Sequence, residues 1–343
     1  MKRYFPLLLI SFFVLVIAVA GTSLLAGYAG KQRPENIKRI TVYTTLPIEQ
    51  ASVLASEYQR QFNVIVNIAP MNSSELLART LTEKSAPKAD LILSDVTTLR
   101  EAKKSGLLMP YVSEQTDIIP LRFKDKDGYW TGLWYDIFIF AVNKEIKTLP
   151  DQSLKWNDIV KNVNRVAITD FLASDTAAQL LFTLTSSWGE DQALQYLGKL
   201  NTRIVQYAKF LGTPARMSGM GEADIAIAVQ SETLRYIHDA FPIKVLFPEE
   251  GTAYFLTGTA LLASSQASPE AKHFMDWLLR DSAQQTLLNN KFYFIPVNPE
   301  TAAAKSFSKH NVKLLDISET LTAEGRQKII DRWIQTVRLA PKS

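Results

Sequence analysis

Apolar positions along the chain switch repeatedly between the period of a strand and that of a helix. Ile40-Thr41-Val42-Tyr43 is β-branched and aromatic and runs into Thr44-Thr45-Leu46-Pro47, which predicts a strand closed by a turn. Residues 48–61 carry Ile48, Val53, Leu54 and Tyr58, with Phe62 following, at helical spacing. Val64-Ile65-Val66-Asn67-Ile68 predicts the next strand. Asn72-Ser73-Ser74-Glu75 reads as a helix start, with Asn72 and Glu75 in capping-box register. Ala89 to Leu93 is a third, short strand that stops at Ser94-Asp95. This β-α-β-α-β order predicts a mostly parallel sheet with helices on its faces.

The second half repeats the class of pattern without repeating the sequence. Asp136 to Asn143 (DIFIFAVN) predicts an aromatic-rich strand, and Trp156 to Val160 the start of a helix. Val166-Ala167-Ile168 is a strand, and Ser174 to Ser187 a helix capped by Ser174 and closed near Gly189. Thr213-Pro214 reads as an N-cap followed by proline at the first helical position, with Gly221 at the far end. Ala223 to Val229 is a buried strand, and Ser268-Pro269-Glu270 starts another helix by the same device.

The first thirty residues follow neither period. Lys2 and Arg3 precede a mostly apolar run from Phe5 to Ala29, and Ala18-Val19-Ala20 and Gly27-Tyr28-Ala29 both fit a small-x-small exit. That is the layout of a secretory signal, yet the run exceeds the usual h-region of about 7–15 residues and approaches the roughly 20 that span a membrane. Residues 1–30 are therefore a cleaved signal peptide or a retained anchor built on residues 5–29. Both put the remainder outside the cytoplasmic membrane, in a periplasm or on the outer face of the membrane. Mass spectrometry of the mature N-terminus separates the two: a chain beginning at Gly21 or Gly30 has been released, and one that keeps Lys2 is held.

Composition narrows the classes. The chain has 343 residues, no cysteine and a formal charge of +4, which falls to +2 once residues 1–30 are set aside. The missing cysteine removes disulfide frameworks, thiol nucleophiles, Cys-ligated metals and a lipid-modified anchor. No basic block marks a nucleic-acid surface. His238, His273 and His310 are too scattered for a metal set. Arg216-Met217-Ser218-Gly219-Met220 lacks the first glycine of a nucleophile elbow, and no phosphate-binding loop or dinucleotide fingerprint is present, so neither catalysis nor a cofactor is expected.

Three passages, in order, resemble the extracellular solute-binding proteins of ABC importers, in the branch that includes ferric-iron, hexose-phosphate and aminophosphonate binders. They are ITVYTTLP leading to NSSELLARTLTEKSAPKADLILSD; GYWTGLWYDIFIFAVNK; and GEADIAIAV, FPEEGTAYFLTGTALL and SPEAKHFMDWLLRDSAQQTLLNNKFYFIPVNP. The resemblance spans roughly residues 38–300. It implies an α/β fold of two lobes, each a mostly parallel sheet flanked by helices, with ligand held in the cleft between them. Lobe one is expected at residues 37–138 plus 250–295, lobe two at 144–246 plus 296–340, and hinge strands near 138–144 and 246–262. The implied partners are a small-molecule ligand and a membrane permease, the chain itself acting as a monomer.

Ligands in such folds sit at the carboxyl ends of parallel strands. That places Thr44, Thr45, Ser73, Ser74, Ser94, Ser174 and Thr176 at the expected cleft, with Thr213 behind them and Arg216 or Arg79 as the guanidinium. Helix starts favour anions through free N–H groups and the helix dipole. Trp134 and Tyr135 near the first crossover are candidates for stacking, and Thr252 and Tyr254 in the return segment for contact with a ligand oxygen. Each has a local alternative: Ser and Thr are preferred caps, and buried aromatics pack. Iron binders of the branch carry an adjacent tyrosine pair after the strand equivalent to ADIAIAV, where this chain has Gln230-Ser231-Glu232-Thr233. The expected ligand is accordingly a phosphorylated or phosphonate-type compound, with a ferric complex or a polyamine as the alternatives. A membrane-anchored sensor working with a histidine kinase is the alternative role.

Overall fold

The structure, a computed structural model, describes residues 38–147, 149–150, 153–263, 268–318 and 321–341. The leader, residues 1–30, lies outside the described residues, and among these no helix is long and apolar enough to cross a membrane. Lobe one opens with β1 (Lys38–Thr44), α1 (Ile48–Phe62), β2 (Val64–Pro70), α2 (Ser73–Thr82), β3 (Leu91–Asp95), α3 (Val96–Lys104), β4 (Leu108–Met109) and α4 (Glu114–Asp117). The chain then crosses on β5 (Thr131–Asn143) to lobe two: β6 (Ser153–Leu154), α5 (Trp156–Asn162), β7 (Val166–Thr169), α6 (Asp175–Trp188), α7 (Glu190–Asn201), β8 (Ile204–Ala208), α8 (Thr213–Gly219), β9 (Ile225–Val229), α9 (Gln230–His238) and β10 (Ile243–Pro248). It returns on β11 (Tyr254–Leu262), adds α10 (Pro269–Leu278), α11 (Asp281–Asn289), β12 (Ile295–Pro296) and α12 (Ala302–Ser308), and finishes on α13 (Ala323–Trp333).

Strand order along the main path is β2-β1-β3-β11-β5-β9-β7-β8. The outer strands of each lobe are parallel, as the β-α-β order predicts, while β5, β10 and β11 run antiparallel through the middle. All of β5 is buried, which explains why IFIFAV reads as an unbroken apolar run rather than an alternating one. Its two faces still sort the side chains, because successive residues of a strand point oppositely. Ile137, Ile139 and Ala141 join the apolar cluster that includes Tyr43, Leu54 and Trp277; Phe138, Phe140 and Val142 join the one that includes Trp156, Leu181 and Trp333.

Most local expectations match. Asn72 caps α2 by accepting from Glu75 N at 2.9 Å, Ser174 caps α6, Ser268 caps α10, and Gly189 ends α6 at φ 84°. Thr213 is a correction: it is the first helical residue of α8, the N-cap is Gly212, and no side chain caps that helix. The C-terminal residues divide between the two apolar clusters. Residues 296–308 pack on lobe one, because Ile295–Pro296 pairs with Tyr135 and Trp134, and Asn298 Nδ2 donates to Leu279 O at 2.8 Å. Ile317, Leu321, α13 and the turn after it pack on lobe two, with Trp333 fully buried against Phe171 and Tyr207.

Three passes of chain meet at the hinge. Phe138 N donates to Ala253 O at 3.0 Å, and Thr252 Oγ1 to Phe138 O at 2.5 Å. Thr252 N donates to Lys313 O, and Leu315 N to Thr252 O, each at 2.9 Å. Gly251 makes this approach possible: its φ is 114°, and a Cβ there would lie 2.9 Å from Leu315 side-chain carbons and 3.0 Å from Lys313 O. Such a backbone conformation costs a non-glycine residue about 1–3 kcal/mol before any clash. Gly251→Ala should therefore lower unfolding free energy by at least about 1–3 kcal/mol, checked by urea denaturation; an unchanged midpoint would contradict the hinge contact.

Candidate functional site

The strand registers put the carboxyl ends of β3 and β9 on the hinge side of their sheets. Asp95 pairs with Thr257, three residues from the start of β11, and Val229 pairs with Phe138. The start of α6, which follows β7, lies near enough to the end of β3 for the charges of Asp175 and Asp95 to act on one another.

On lobe one, Thr45 and Ser94 are ordered into a relay onto Asp95. Thr44 is buried and spent: its Oγ1 donates to Leu93 O at 2.7 Å and accepts from Leu46 N at 3.0 Å, fixing the turn into α1. Thr45 Oγ1 and Ser94 Oγ are 2.8 Å apart, and Ser94 donates onward to Asp95 Oδ2 at 3.2 Å, which leaves Thr45 as the donor to Ser94. Asp95 caps α3 through Thr98 N at 2.9 Å and also accepts from Thr98 Oγ1 at 2.6 Å. Ser73 and Ser74 occupy the first turn of α2, beside its cap.

On lobe two, Ser174 Oγ is occupied by Ala177 N at 3.1 Å. Asp175 and Thr176 follow in the first turn of α6. Burial in the cleft, then the neighbouring charge of Asp95, push the Asp175 carboxyl above its ordinary value. Two carboxylates from opposite lobes thus face each other. Arg326, in the first turns of α13, is drawn down by burial and by Arg100, an effect opposed by Asp95, Asp175 and Glu101. Arg100 and Arg326 escaped the sequence reading: Arg100 sits inside an ordinary amphipathic helix, and Arg326 is over 150 residues from the segment it faces.

Of the other expected contacts, Tyr254 lines a cavity at the side of the cleft and the rest lie elsewhere. Arg216 points down α8 toward Glu222, 3.6 Å away, at the end of the helix opposite the cleft. Trp134 is buried and stacks on Phe294 at 6.0 Å; Tyr135 stacks on Phe123 at 5.1 Å. Thr252 is buried in the hinge. Tyr254 donates to Asp316 Oδ1 at 2.6 Å, and Arg122 reaches the same carboxylate at 3.1 Å, so these three tie the return strand to the last crossover. Thr213 is half-buried at the start of α8.

Where the resemblance leads one to look for a tyrosine pair, Ser231 binds a buried carboxylate. Its N and Oγ donate to Asp136 at 3.1 and 2.5 Å, and Ile137 N donates at 2.9 Å. Among the described residues no group of three or more His, Cys, Asp or Glu is placed to hold a metal. Burial raises Asp136 to about 7 despite these hydrogen bonds, and Glu232 adds to the rise.

Residues 86–318 match the model of the bacterial extracellular solute-binding protein family. The chain belongs to that family, the solute-binding components of ABC transport systems. It is 28% identical over 338 residues to an uncharacterized protein of Haemophilus influenzae, covering 93% of this chain and 96% of that one. It is 24% identical over 313 residues to a probable ABC transporter periplasmic-binding protein, y4fP, of Sinorhizobium fredii, covering 88% and 86%. Among solved structures, the periplasmic binding protein AfuA of Actinobacillus pleuropneumoniae, with exogenous fructose-6-phosphate bound, superimposes with a TM-score of 0.70 at 26% identity, covering 88% of this chain and 99% of that one. A ferric binding protein from Campylobacter jejuni has the same TM-score of 0.70 at 21% identity, covering 87% and 99%, and shares the fold. The expected two-lobed α/β architecture therefore stands. The sensor-kinase reading has no counterpart among these four relatives.

A carboxyl raised on folding binds its proton more tightly in the native state, so it lowers stability as pH climbs. For Asp136 the window runs from its ordinary value of 3.8 to about 7. Wild-type stability minus that of Asp136→Asn should fall across this window, by at most about 1.4 kcal/mol per pH unit, and level off above it. Urea denaturation at half-unit pH steps checks this; a flat difference would contradict it.

Proposed function

We propose that this protein captures a small phosphorylated compound, of the sugar-phosphate class, in its interlobe cleft and delivers it to an ABC permease, without catalysing a reaction. The observation that carries the reading is a cavity lined by Arg100 of α3 and Gln179 of α6, with Arg326 over the neighbouring Phe182 ring and Asp175 and Thr176 in the first turn of α6. Helix starts attract an anion but are weak alone, each dipole contributing about 0.3–1 kcal/mol when exposed. Micromolar binding needs about 8 kcal/mol. The remainder has to come from charge-assisted hydrogen bonds, which guanidinium groups supply to phosphate in pairs. Ser73, Ser74 and Thr176 supply hydroxyls, and Asp175 is an acceptor for the ligand's own hydroxyls.

A ferric ligand is disfavoured by Ser231 and its bond to Asp136 at the position of the expected tyrosine pair. The bound sugar phosphate of AfuA supports the class by likeness of the chains. A thermal-shift panel of fructose 6-phosphate, glycerol 3-phosphate, 2-aminoethylphosphonate, ferric citrate and spermidine tests the reading. At a hundredfold excess over Kd the phosphorylated compounds should add about 2.7 kcal/mol, a rise of several degrees in Tm. Stabilisation by spermidine or ferric citrate alone would overturn it.

A further inference from the structure

The helices α3 and α6 face one another where a cavity of about 740 Å³ opens at the side of the cleft. Asp95, Val96, Thr97 and Arg100 line it from lobe one and Gln179 from lobe two. Along α6, Asp175, Gln179 and Phe182 recur at i, i+4 and i+7 and so share a face. The Arg326 guanidinium lies 5.3 Å from the Phe182 ring, over that same face. Arg100, on the opposite wall, lies 5.5 Å from the ring of Trp130, whose buried Nε1 has no hydrogen-bond partner.

Most other arginines on this surface are matched. Arg332 binds Glu190 and Asp191, Arg338 binds Asp170, Arg165 binds Asp224 and Arg122 binds Asp316. Arg100 and Arg326 make no hydrogen bond or ion pair with a described residue, although each stands near a carboxylate. Asp95 is already engaged by Ser94 and twice by Thr98. Two cations on opposite walls resist closure of the gap between them, and an anion seated there reverses the sign of the force.

We propose that Arg100 and Arg326, one from each lobe, clamp the phosphoryl group of the ligand, while Asp175 accepts its hydroxyls. This rests on the ligand class proposed above. A phosphoryl group has enough oxygens to accept from both forks at once. The depressed basicity of Arg326 and the raised carboxyl of Asp175 both ease when an anion and hydroxyl donors arrive. The clamp thereby couples recognition to closure: a neutral sugar satisfies Asp175 but leaves the two guanidiniums opposed, and free phosphate does the reverse.

Isothermal titration of the wild type, Arg100→Gln and Arg326→Gln with fructose 6-phosphate, glycerol 3-phosphate, fructose and inorganic phosphate tests the clamp. Each variant should lose at least thirtyfold in affinity for the phosphorylated compound that binds best. Small-angle scattering should show that compound compacting the wild type and neither variant. Without ligand, both variants should unfold close to the wild-type temperature, since each exchanges a ring contact for relief of the repulsion between the two cations. If the wild type binds a phosphorylated compound and both variants bind it within threefold, the clamp is wrong and the ligand class survives. If the wild type binds none of the phosphorylated probes, the ligand class fails and the clamp with it.

Discussion

Thr252 has no exposed surface, and its N–H, carbonyl and hydroxyl are all spent on the other two passes of chain that cross between the lobes. The rest of the molecule hangs on that knot. A buried backbone group that loses its partner costs about 1–3 kcal/mol, so the three crossovers cannot separate one at a time. Gly251 lets the strands approach, and β5 carries the apolar residues of both clusters on its two faces. A hinge made in this way fixes the connection between the lobes. Closure of such a joint around a ligand is the motion its geometry allows.

Charge is distributed unevenly around this joint. Ion pairs on the outer surface are numerous and mostly solvated, and pairs of that kind are worth about 0–1 kcal/mol each. At the hinge, Arg122, Tyr254 and Asp316 form a small matched network that ties lobe one to the last crossover. In the cavity at the cleft Lys103 and Arg122 are matched by Asp125 and Asp316, while Arg100 has no ion pair with a described residue. Asp95 and Asp175 approach one another, and two arginines stand nearby without a bond. Unmatched groups on facing walls are unfavourable for the empty protein, which is the condition under which a complementary ligand gains most by arriving.

Helix caps and strand positions were legible because they depend on neighbours in sequence. Asn72, Ser174 and Ser268 cap as their spacing indicates, since a cap is a bond to a backbone N–H two or three residues away. Thr213 misled for the same local reason: Gly212 can also occupy the non-helical cap position, and nothing in the local pattern chooses between them. Trp134, Tyr135 and Arg216 misled for another reason. Their residue types suit both packing and binding, and only the position of Phe294, Phe123 and Glu222 assigns them to packing and pairing.

By itself the sequence determined the order of strands and helices, the parallel half-sheets, the helix starts that carry hydroxyls and the absence of cysteine chemistry. Each follows from periodicity, capping or composition, which act over a few residues. The tertiary structure decided which of those hydroxyls remain free, that residues 296–308 pack with the first lobe's cluster, that Ser231 is committed to Asp136, and that the charges of Arg100 and Arg326 act on one another. These facts join segments far apart in the chain, and their energies come from burial and from charges brought together by the fold, quantities that no local pattern encodes.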